Sequence, residues 1–595
     1  MSETQLTTKR IMQLVSIAAG IFLLFGLRLI DVQAVQAGGY TARANSELLN
    51  SSTLLAPRGT ITDINGVELA RSVAAINIVV DQVQISDKAK TAAFVAPYLS
   101  MNASELLPLL AGVKRYQIIA KQVEPSVWNT LKDALTTYNE QIVKQPGGLA
   151  NRILGFYSER SYIRDYPTGT LAASLIGKIN EAGVGAGGLE ESLDSILTGT
   201  NGRYLFANGA GTVIPGSKEI ITEAKPGTGV QLTIDRDVQW VAQDAISAAV
   251  KKAHAISGTV VVMDPKTGQI LAQASAPTFD PAKAIKDVSV LRNPAVTDAY
   301  EPGSVGKIIT YSAAMEEGKI TPTSLLTIPY TLKVGGTVFH DHQSHPTKIL
   351  TVTGALAESS NTGAIQVGAM MGNDTLFSYL QKFGIGSVTG SHLPGETQGI
   401  LHPVSTWSAT SAPTIAFGQG YSLTALQATS VFATIANNGV RVTPNVVAGY
   451  FDPSGNFTPS KPSSTTRVVS DATATAMRLM MESVVGPDGT APEAAIPGYR
   501  VAGKTGTAMR ANGNGGYSGY TASFIGFAPA DAPRYVVSVV VQAPQGQHFG
   551  GMVAGPVFKQ VMSFVLQSKH IAPTAPSTIV YPLTQAALKG SHATH

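Results

Sequence analysis

A run without any charged side chain, from Ile11 to Leu27, constrains this chain more than any other feature. Lys9 and Arg10 precede it, and an arginine follows it. A helix of about 20 apolar residues crosses a bilayer, a flanking arginine can extend a slightly shorter run, and positive charges favour the cytoplasmic side. The sequence therefore predicts a transmembrane anchor over residues 11–30, a cytoplasmic tail over residues 1–10, and all later residues outside the cytoplasm.

The same run has two alternative interpretations, a cleaved signal peptide and the core helix of a soluble domain. The triplet Ala42-Arg43-Ala44 is a poor cleavage site far from the apolar run, which favours an uncleaved anchor. Arg28 and Arg43 lie on the predicted outer flank and weaken the charge argument for this orientation.

Length and composition exclude several classes of protein. At 595 residues the chain holds more than one domain. Only 14% of its residues are charged, and the formal net charge is +4, which is too small a bias for a nucleic-acid partner. There is no cysteine, so the fold uses neither a disulfide nor a thiolate metal site.

The turn-forming stretch Lys225-Pro226-Gly227-Thr228-Gly229 predicts a domain boundary. Residues 31–225 mix strands and helices, including a hairpin turn at Asn65-Gly66. Residues 226–570 are predicted to form a second mixed domain. Residues 571–595 are rich in Pro, Ser and Thr, which predicts a disordered tail. The first predicted elements of the second domain are a strand, a helix and a hairpin: Val230–Ile234, Val238–Lys252, Gly258–Asp264 and Gln269–Ala274.

Ser304 and Lys307 form a candidate nucleophile and base. Pro302 and Gly303 predict a loop, after which a helix opens at Ser304 and runs to about Glu317. Residues three apart share one helix face, so a neutral lysine amine there can take the serine proton. An S-x-x-K alone is weak, because such a pair is usually a solvated helix face.

Ser359 and Asn361 form an S-x-N triplet after the helical stretch from Val352 to Glu358. The serine hydroxyl could relay a proton to a leaving amine, and the asparagine amide could hold a substrate carbonyl. Matching triplets at residues 100–102 and 454–456 show how little the pattern means alone, and a helix-capping turn is the plain alternative.

A K-T-G triplet begins at Lys504 and continues through Thr505 and Gly506 to Thr507. An identical triplet at residues 266–268 is predicted to be only a hairpin turn. At the second copy a glycine allows a substrate backbone to approach a strand edge. Lys504 and the two threonines could then hold a substrate carboxylate, while the backbone N–H groups of Ser304 and Thr507 form an oxyanion hole.

These three triplets, in this order, occur together in penicillin-binding proteins and class A β-lactamases. The chain resembles the class B penicillin-binding proteins, the monofunctional transpeptidases of bacterial cell-wall synthesis, over roughly residues 10 to 565. Further motifs carry the resemblance: Glu301-Pro302-Gly303, Arg58-Gly59 with Asn65-Gly66, Gly188-Leu189-Glu190, Gly418-Gln419-Gly420 and Ser523 to Pro529. Ile64 departs from the arginine that many relatives carry there, and Arg58 is expected to pair with Glu190.

The resemblance implies an α+β protein with a membrane anchor, an elongated pedestal and a transpeptidase domain. That domain would contain a five-stranded antiparallel sheet flanked by helices and an inserted helical part. Ser304 would attack the penultimate D-Ala of a stem peptide, with Lys307 as base and with Ser359, Asn361 and Lys504 completing the network. Penicillins would acylate the same serine, and the mechanism needs no cofactor or metal.

The resemblance also implies partners: peptidoglycan stem peptides and a membrane-embedded SEDS-type glycosyltransferase, without nucleic acid. A role in septation is favoured over elongation by the short pedestal and by the residues around Lys504. Alternatives are a hydrolase, either a D,D-carboxypeptidase or a β-lactamase, and a β-lactam sensor or division scaffold.

His340, Asp341, His342 and His345 have spacings that could hold a metal, although a solvated loop is the favoured interpretation. Trp407 and Tyr421 could line a substrate groove, and they could equally be core aromatics.

Overall fold

The computed structural model describes residues 3–36, 38–39, 49–209, 212–213, 219–512, 515–577 and 579–592. The candidate cleavage triplet at residues 42–44 lies outside them. The described chain divides into two compact units that are interleaved in sequence. The first unit contains residues 1–57, 73–163 and 199–226, and the second contains residues 58–72, 164–198 and 227–595.

The predicted anchor forms one continuous helix, Glu3–Ile30, which ends in a π-helical turn, Asp31–Val35. The stretch Thr8–Val35 has a mean hydropathy of 2.0 in its most apolar window, and none of that window is buried. Within the described part of the chain, no other helix is long and apolar enough to cross a membrane. This helix fits a single-pass membrane anchor.

The first unit also packs a small core of its own. Leu106, Leu110 and Leu131 from its helices bury against Ile78 and Val80 from a strand. Its helices are Lys88–Val95, Ala103–Leu110 and Pro125–Ile142, and its strands include Leu49–Leu54, Gln117–Val123, Gly202–Gly209, Thr212–Val213 and Glu219–Thr222. The strands Glu68–Val80 and Phe156–Asp165 contribute residues 73–80 and 156–163.

A buried ion cluster joins residues 58–72 to residues 164–198, two segments that the sequence places in the pedestal and that group with the second unit. The Glu190 side chain is fully buried between two arginines. Its carboxylate accepts from Nε of Arg58 at 2.6 Å and from Nε of Arg164 at 2.7 Å. Nη1 of Arg58 also donates to Asp194 at 2.7 Å. The expected pairing of Arg58 with Glu190 is confirmed.

The centre of the second unit is a five-stranded antiparallel sheet, as predicted. Its spatial order is Ile270–Ala276, Ser257–Met263, Tyr535–Gln542, Tyr517–Ala528 and Ala502–Ala511. We call Ala502–Ala511 the edge strand. Alternate residues of the inner strands enter different cores: Val260 and Val262 pack with the helices Arg236–Lys252 and Gly555–Ser568, whereas Val261 and Met263 pack with the helix Ala425–Ala436. Because both of their faces are covered, the inner strands Ser257–Met263 and Tyr535–Gln542 together consist mostly of valine.

Most of the remaining helices of the second unit lie between residues 294 and 485, with short strand pairs among them. The further helices are Ala173–Ile176, Gly188–Ser192, Asp194–Leu197, Pro294–Thr297, Lys307–Glu316, Val352–Ala357, Asn361–Ala369, Asn373–Lys382, Ser411–Ala416, Asp471–Val485 and Gly550–Val553. The further strands are Ile61–Thr62, Lys178–Ile179, Gly185–Ala186, Gly229–Leu232, Leu325–Ile328, Thr331–Val334, Thr337–His340, Lys348–Thr351, Val440–Val442, Val447–Phe451, Phe457–Pro459 and Thr465–Arg467.

The prediction of a disordered tail is wrong for part of the described C-terminal residues, 571–577 and 579–592. Residues Gln585–His592 form a helix, and the residues before it bind along the strand Lys348–Thr351. The backbone N–H of Thr351 donates to the carbonyl of Leu583 at 3.0 Å, and its hydroxyl donates to the carbonyl of Pro582 at 2.6 Å. Backbone hydrogen bonds of this kind depend little on side-chain composition, so a polar segment can still be ordered.

Glu190→Gln should destabilise the second unit, because it leaves two buried guanidinium groups without their shared carboxylate. Breaking a buried ion pair from one side costs roughly 3–5 kcal/mol in free energy of unfolding. Urea unfolding of the full-length protein in detergent would measure this loss. Glu181→Gln, at an exposed position, is the control, and equal midpoints for the two variants would contradict the assignment.

Candidate active site

Ser304 lies in a tight 3₁₀ turn, Gly303–Gly306, which we call the serine turn. The α-helix predicted to open at Ser304 begins only at Lys307, after this turn. The N–H of Gly303 donates to the carbonyl of Gly418 at 2.8 Å, and an ideal Cβ at Gly418 would lie 1.8 Å from the carbonyl oxygen of Gly303. The serine turn is therefore fixed by a segment that only glycine can bring so close.

Lys307 is fully buried, and its amine donates to two acceptors in the S-x-N triplet. Nζ lies 2.8 Å from Oδ1 of Asn361 and 2.5 Å from the carbonyl oxygen of Ser359, with Oγ of Ser359 at 3.4 Å. Burial lowers the pKa of Lys307 to about 7, although the charge of Asp341 raises it. A large fraction of this amine is thus neutral near pH 7, as a general base requires.

The S-x-N triplet connects two helices, Val352–Ala357 and Asn361–Ala369. Ser359 has a left-handed backbone, with φ of +62°, and the Ser360 hydroxyl caps the second helix by accepting from Gly363 at 2.9 Å. The capping turn proposed as the plain alternative is therefore present. The same turn also directs Ser359 and Asn361 toward Lys307, so the two interpretations coexist.

Lys504, on the edge strand, contacts the hydroxyl of Ser359. Its amine is fully buried and lies 2.9 Å from Oγ of Ser359 and 3.3 Å from Oγ1 of Thr505. Burial, and secondarily the charge of Lys307, hold the pKa of Lys504 well below its usual range. Oγ of Ser359 therefore lies within 3.5 Å of both lysine amines.

Gly506 makes room for the serine turn. An ideal Cβ at this position would lie 2.8 Å from the carbonyl oxygen of Pro302, 2.9 Å from Cγ2 of Val305 and 2.4 Å from Oγ of Ser523. The sequence attributed the glycine to close approach of a substrate backbone. In the structure its close neighbours are the chain's own serine turn and the adjacent strand, so Gly506 sets the distance between the edge strand and the serine.

All three triplets contribute to one cleft of about 680 Å³. Ser304, Ser359, Asn361, Thr505 and Thr507 line it, while the two lysines and Gly506 are buried. Among the described residues that line this cleft, none comes from the K-T-G at residues 266–268 or from the S-x-N triplets at residues 100–102 and 454–456. The lysine-threonine-glycine sequence at residues 266–268 is a hairpin turn, as predicted.

Comparisons with known families and proteins agree with this geometry. Residues 258–563 match the penicillin-binding protein transpeptidase domain, and residues 53–232 match the penicillin-binding protein dimerisation domain. The chain is 36% identical to penicillin-binding protein PbpB of Mycolicibacterium smegmatis, over 93% of this chain and 89% of the relative. It is 32% identical to peptidoglycan D,D-transpeptidase FtsI of Escherichia coli, over 88% of this chain and 85% of the relative. The chain belongs to the class B penicillin-binding proteins.

A solved relative has the same fold as this penicillin-binding protein. The crystal structure of penicillin-binding protein 3 from Mycobacterium tuberculosis, complexed with ampicillin, superposes with a TM-score of 0.70 at 31% identity. The match covers 90% of this chain and all of the other. The predicted fold class is thereby confirmed.

The cleft of this penicillin-binding protein also contains side chains that the sequence did not single out for it. Tyr520 stacks on His548, with ring centroids 4.1 Å apart, and Phe549 contacts His342 edge-on at 4.9 Å. No sequence motif marks these rings, because they come from distant segments. Asp341, considered only as a metal ligand, instead binds the S-x-N turn.

The remaining sequence candidates have other surroundings. No group of three histidine, aspartate or glutamate side chains with metal-binding geometry occurs within the described residues. Trp407 packs against Phe377 and donates to the carbonyl of His402, and Tyr421 is buried against Gly306. Neither aromatic lines the cleft, so the interpretation as packing residues applies to both.

Gly506→Ala should slow acylation by a β-lactam, because the backbone carbonyl of Pro302 cannot yield to the new methyl group without moving the serine turn. A displacement of about 1 Å at a reacting group can reduce a rate roughly a hundredfold. Stopped-flow or gel measurement of acylation, with thermal unfolding as a folding check, would test this. Gly516→Ala is the matched control, since its Cβ meets only the flexible side chain of Asn512. Equal rates for the two variants would contradict the role given to Gly506.

Proposed function

We propose that this class B penicillin-binding protein is a peptidoglycan D,D-transpeptidase with Ser304 as its nucleophile. The supporting observation is the convergence of two buried amines on the hydroxyl of Ser359, in the cleft that Ser304 lines. Buried lysines with lowered pKa values accept and return protons near neutral pH, which acyl transfer requires twice in each cycle.

In the proposed reaction, the Ser304 hydroxyl adds to the carbonyl carbon of the penultimate D-Ala and Lys307 takes its proton. The backbone N–H groups of Ser304 and Thr507 stabilise the oxyanion. When the tetrahedral intermediate collapses, Ser359 relays a proton to the departing D-Ala amine. An amine of a neighbouring stem peptide then attacks the ester and restores the serine, which completes the cross-link.

The remaining groups are assigned to substrate binding. Asn361 holds a substrate amide, and Lys504 with Thr505 and Thr507 binds the terminal carboxylate. Thr490 supports this arrangement, since its hydroxyl lies 2.9 Å from that of Thr505. A penicillin carries a carboxylate and a strained amide in a comparable arrangement, and it acylates Ser304 without a leaving group that can depart.

The anchor places the reaction at a membrane surface. With Lys9 and Arg10 in the cytoplasm, the transpeptidase domain, residues 226–570, and the pedestal, residues 31–225, lie outside the cell membrane. Glycan polymerisation is then supplied by a partner, a SEDS-type glycosyltransferase that binds the anchor and pedestal. A septal role is favoured over a lateral one, because the relatives include FtsI and PbpB.

Ser304→Ala should abolish covalent labelling by a fluorescent penicillin, because the substitution removes the nucleophilic oxygen. Ser454→Ala, in an S-x-N triplet outside the cleft, is the control and should label normally. Persistent labelling of Ser304→Ala would refute the assignment. In the wild-type protein the label should remain after free penicillin is removed, whereas rapid release would favour a hydrolase.

Depletion of the protein in its own host should give filamentous cells, because septal cross-linking would stop while elongation continues. Microscopy during depletion, with re-expressed wild-type protein as the control, measures this. Rounded cells would instead assign the protein to elongation. Ser304→Ala should fail to restore division, and full rescue by that variant would favour a scaffold function.

A further inference from the structure

Asp341 is a buried carboxylate beside the cleft that the proposed reaction does not use. It is 6% exposed. Oδ1 accepts the backbone N–H groups of Asn361 at 2.6 Å and of Thr362 at 2.9 Å. Oδ2 accepts the hydroxyl of Ser360 at 2.7 Å and faces Nε2 of His345 at 3.1 Å. Both carboxylate oxygens are therefore fixed by the S-x-N turn.

These bonds cap the helix Asn361–Ala369 from outside its own segment. The first N–H groups of a helix have no partner within it, and a negative charge there is stabilising. Asp341 binds two of these groups, and Ser360 binds a third, that of Gly363, at 2.9 Å. The position of the first helical residue, Asn361, thus depends on a carboxylate from the loop that follows the strand Thr337–His340.

The same turn supplies the acceptors of the buried Lys307 amine. The carbonyl of Ser359 and Oδ1 of Asn361 both accept from Nζ. Since the bonds of Asp341 fall on Ser360, Asn361 and Thr362, any displacement of this carboxylate would move both acceptors together.

We propose that Asp341 is a positioning residue for the transpeptidase reaction: it holds the turn at residues 359–361 against Lys307 and supplies a negative charge that acts on the Lys307 amine. This inference rests on the proposed function, because it assumes that Lys307 is the base. This role also accounts for the burial of Asp341, since Asp341 and the histidines near it do not form a metal-binding group.

The charge has a measurable consequence for pH dependence. Burial lowers the pKa of Lys307, and Asp341 opposes that effect. The other titratable groups near this pair are Lys504, which contacts Ser359 as Lys307 does, and His345, which faces Asp341. The buried Tyr311 is a third, because burial and then the charge of Asp341 raise the pKa of its hydroxyl. Acylation needs the neutral amine, so its rate should rise with pH through about 7, the pKa of Lys307. Without the Asp341 charge that pKa falls, and the neutral form persists to lower pH.

Asp341→Asn is the test, with penicillin acylation rates measured from acidic to basic pH on the full-length protein in detergent. We expect the rate on the high-pH plateau to fall roughly tenfold or more, because the turn is less firmly held. We also expect the midpoint of the acid limb to move down by about one pH unit. An unchanged rate would overturn the inference. A lower rate with an unmoved midpoint would overturn it as well, since a purely structural defect gives that result.

Two further variants keep the test decisive. Ser360→Ala removes one hydrogen bond to Asp341 but keeps its charge, so the rate should fall while the midpoint stays; a wild-type rate would count against the inference even if Asp341→Asn did not fold. Asp264→Asn removes a carboxylate that caps a hairpin turn outside the cleft and should change neither quantity. If the wild-type protein were not acylated at all, the proposed function would fail, and not this inference alone.

Discussion

The burial of two lysine amines around one serine hydroxyl is the constraint on which the active site depends. An ammonium group removed from water is strongly destabilised unless it is neutralised or fully hydrogen-bonded. Lys307 has three acceptor atoms within 3.5 Å, all in Ser359 and Asn361, and Lys504 has Ser359 and Thr505. Both pKa values are lowered. The two amines are already buried, so a proton can move between them without a further cost of removing them from water.

The three candidate triplets could be found in the sequence because each is a short local pattern with its own chemistry. Other elements of the second unit were also predictable where apolar periodicity is clear: the helix expected over Val238–Lys252 is Arg236–Lys252, and the strand expected over Gly258–Asp264 is Ser257–Met263. The prediction that the three triplets share one site came from the resemblance to a family. No local pattern indicates that residues 304, 359 and 504 lie close together.

The features that sequence did not predict all depend on distant partners. Gly506 is needed because Pro302 and Val305 pack against it, and neither is near it in the chain. The order of the C-terminal segment comes from its pairing with Thr351, which composition cannot reveal. Asp341 was expected in a solvated loop, but it is buried, and its hydrogen bonds to the S-x-N turn depend on the fold.

Ser359 shows how strain and burial support each other at this site. A non-glycine residue with a left-handed backbone costs roughly 1–3 kcal/mol unless its surroundings impose that conformation. Here the conformation turns the Ser359 carbonyl toward the Lys307 amine and its hydroxyl toward Lys504. An extended Ser359 would direct its carbonyl elsewhere and leave a buried amine short of an acceptor. The unfavourable torsion is therefore retained, because a buried amine without its acceptor would cost more free energy than the torsion does. The positions of Ser359 and its two lysine neighbours follow from that balance.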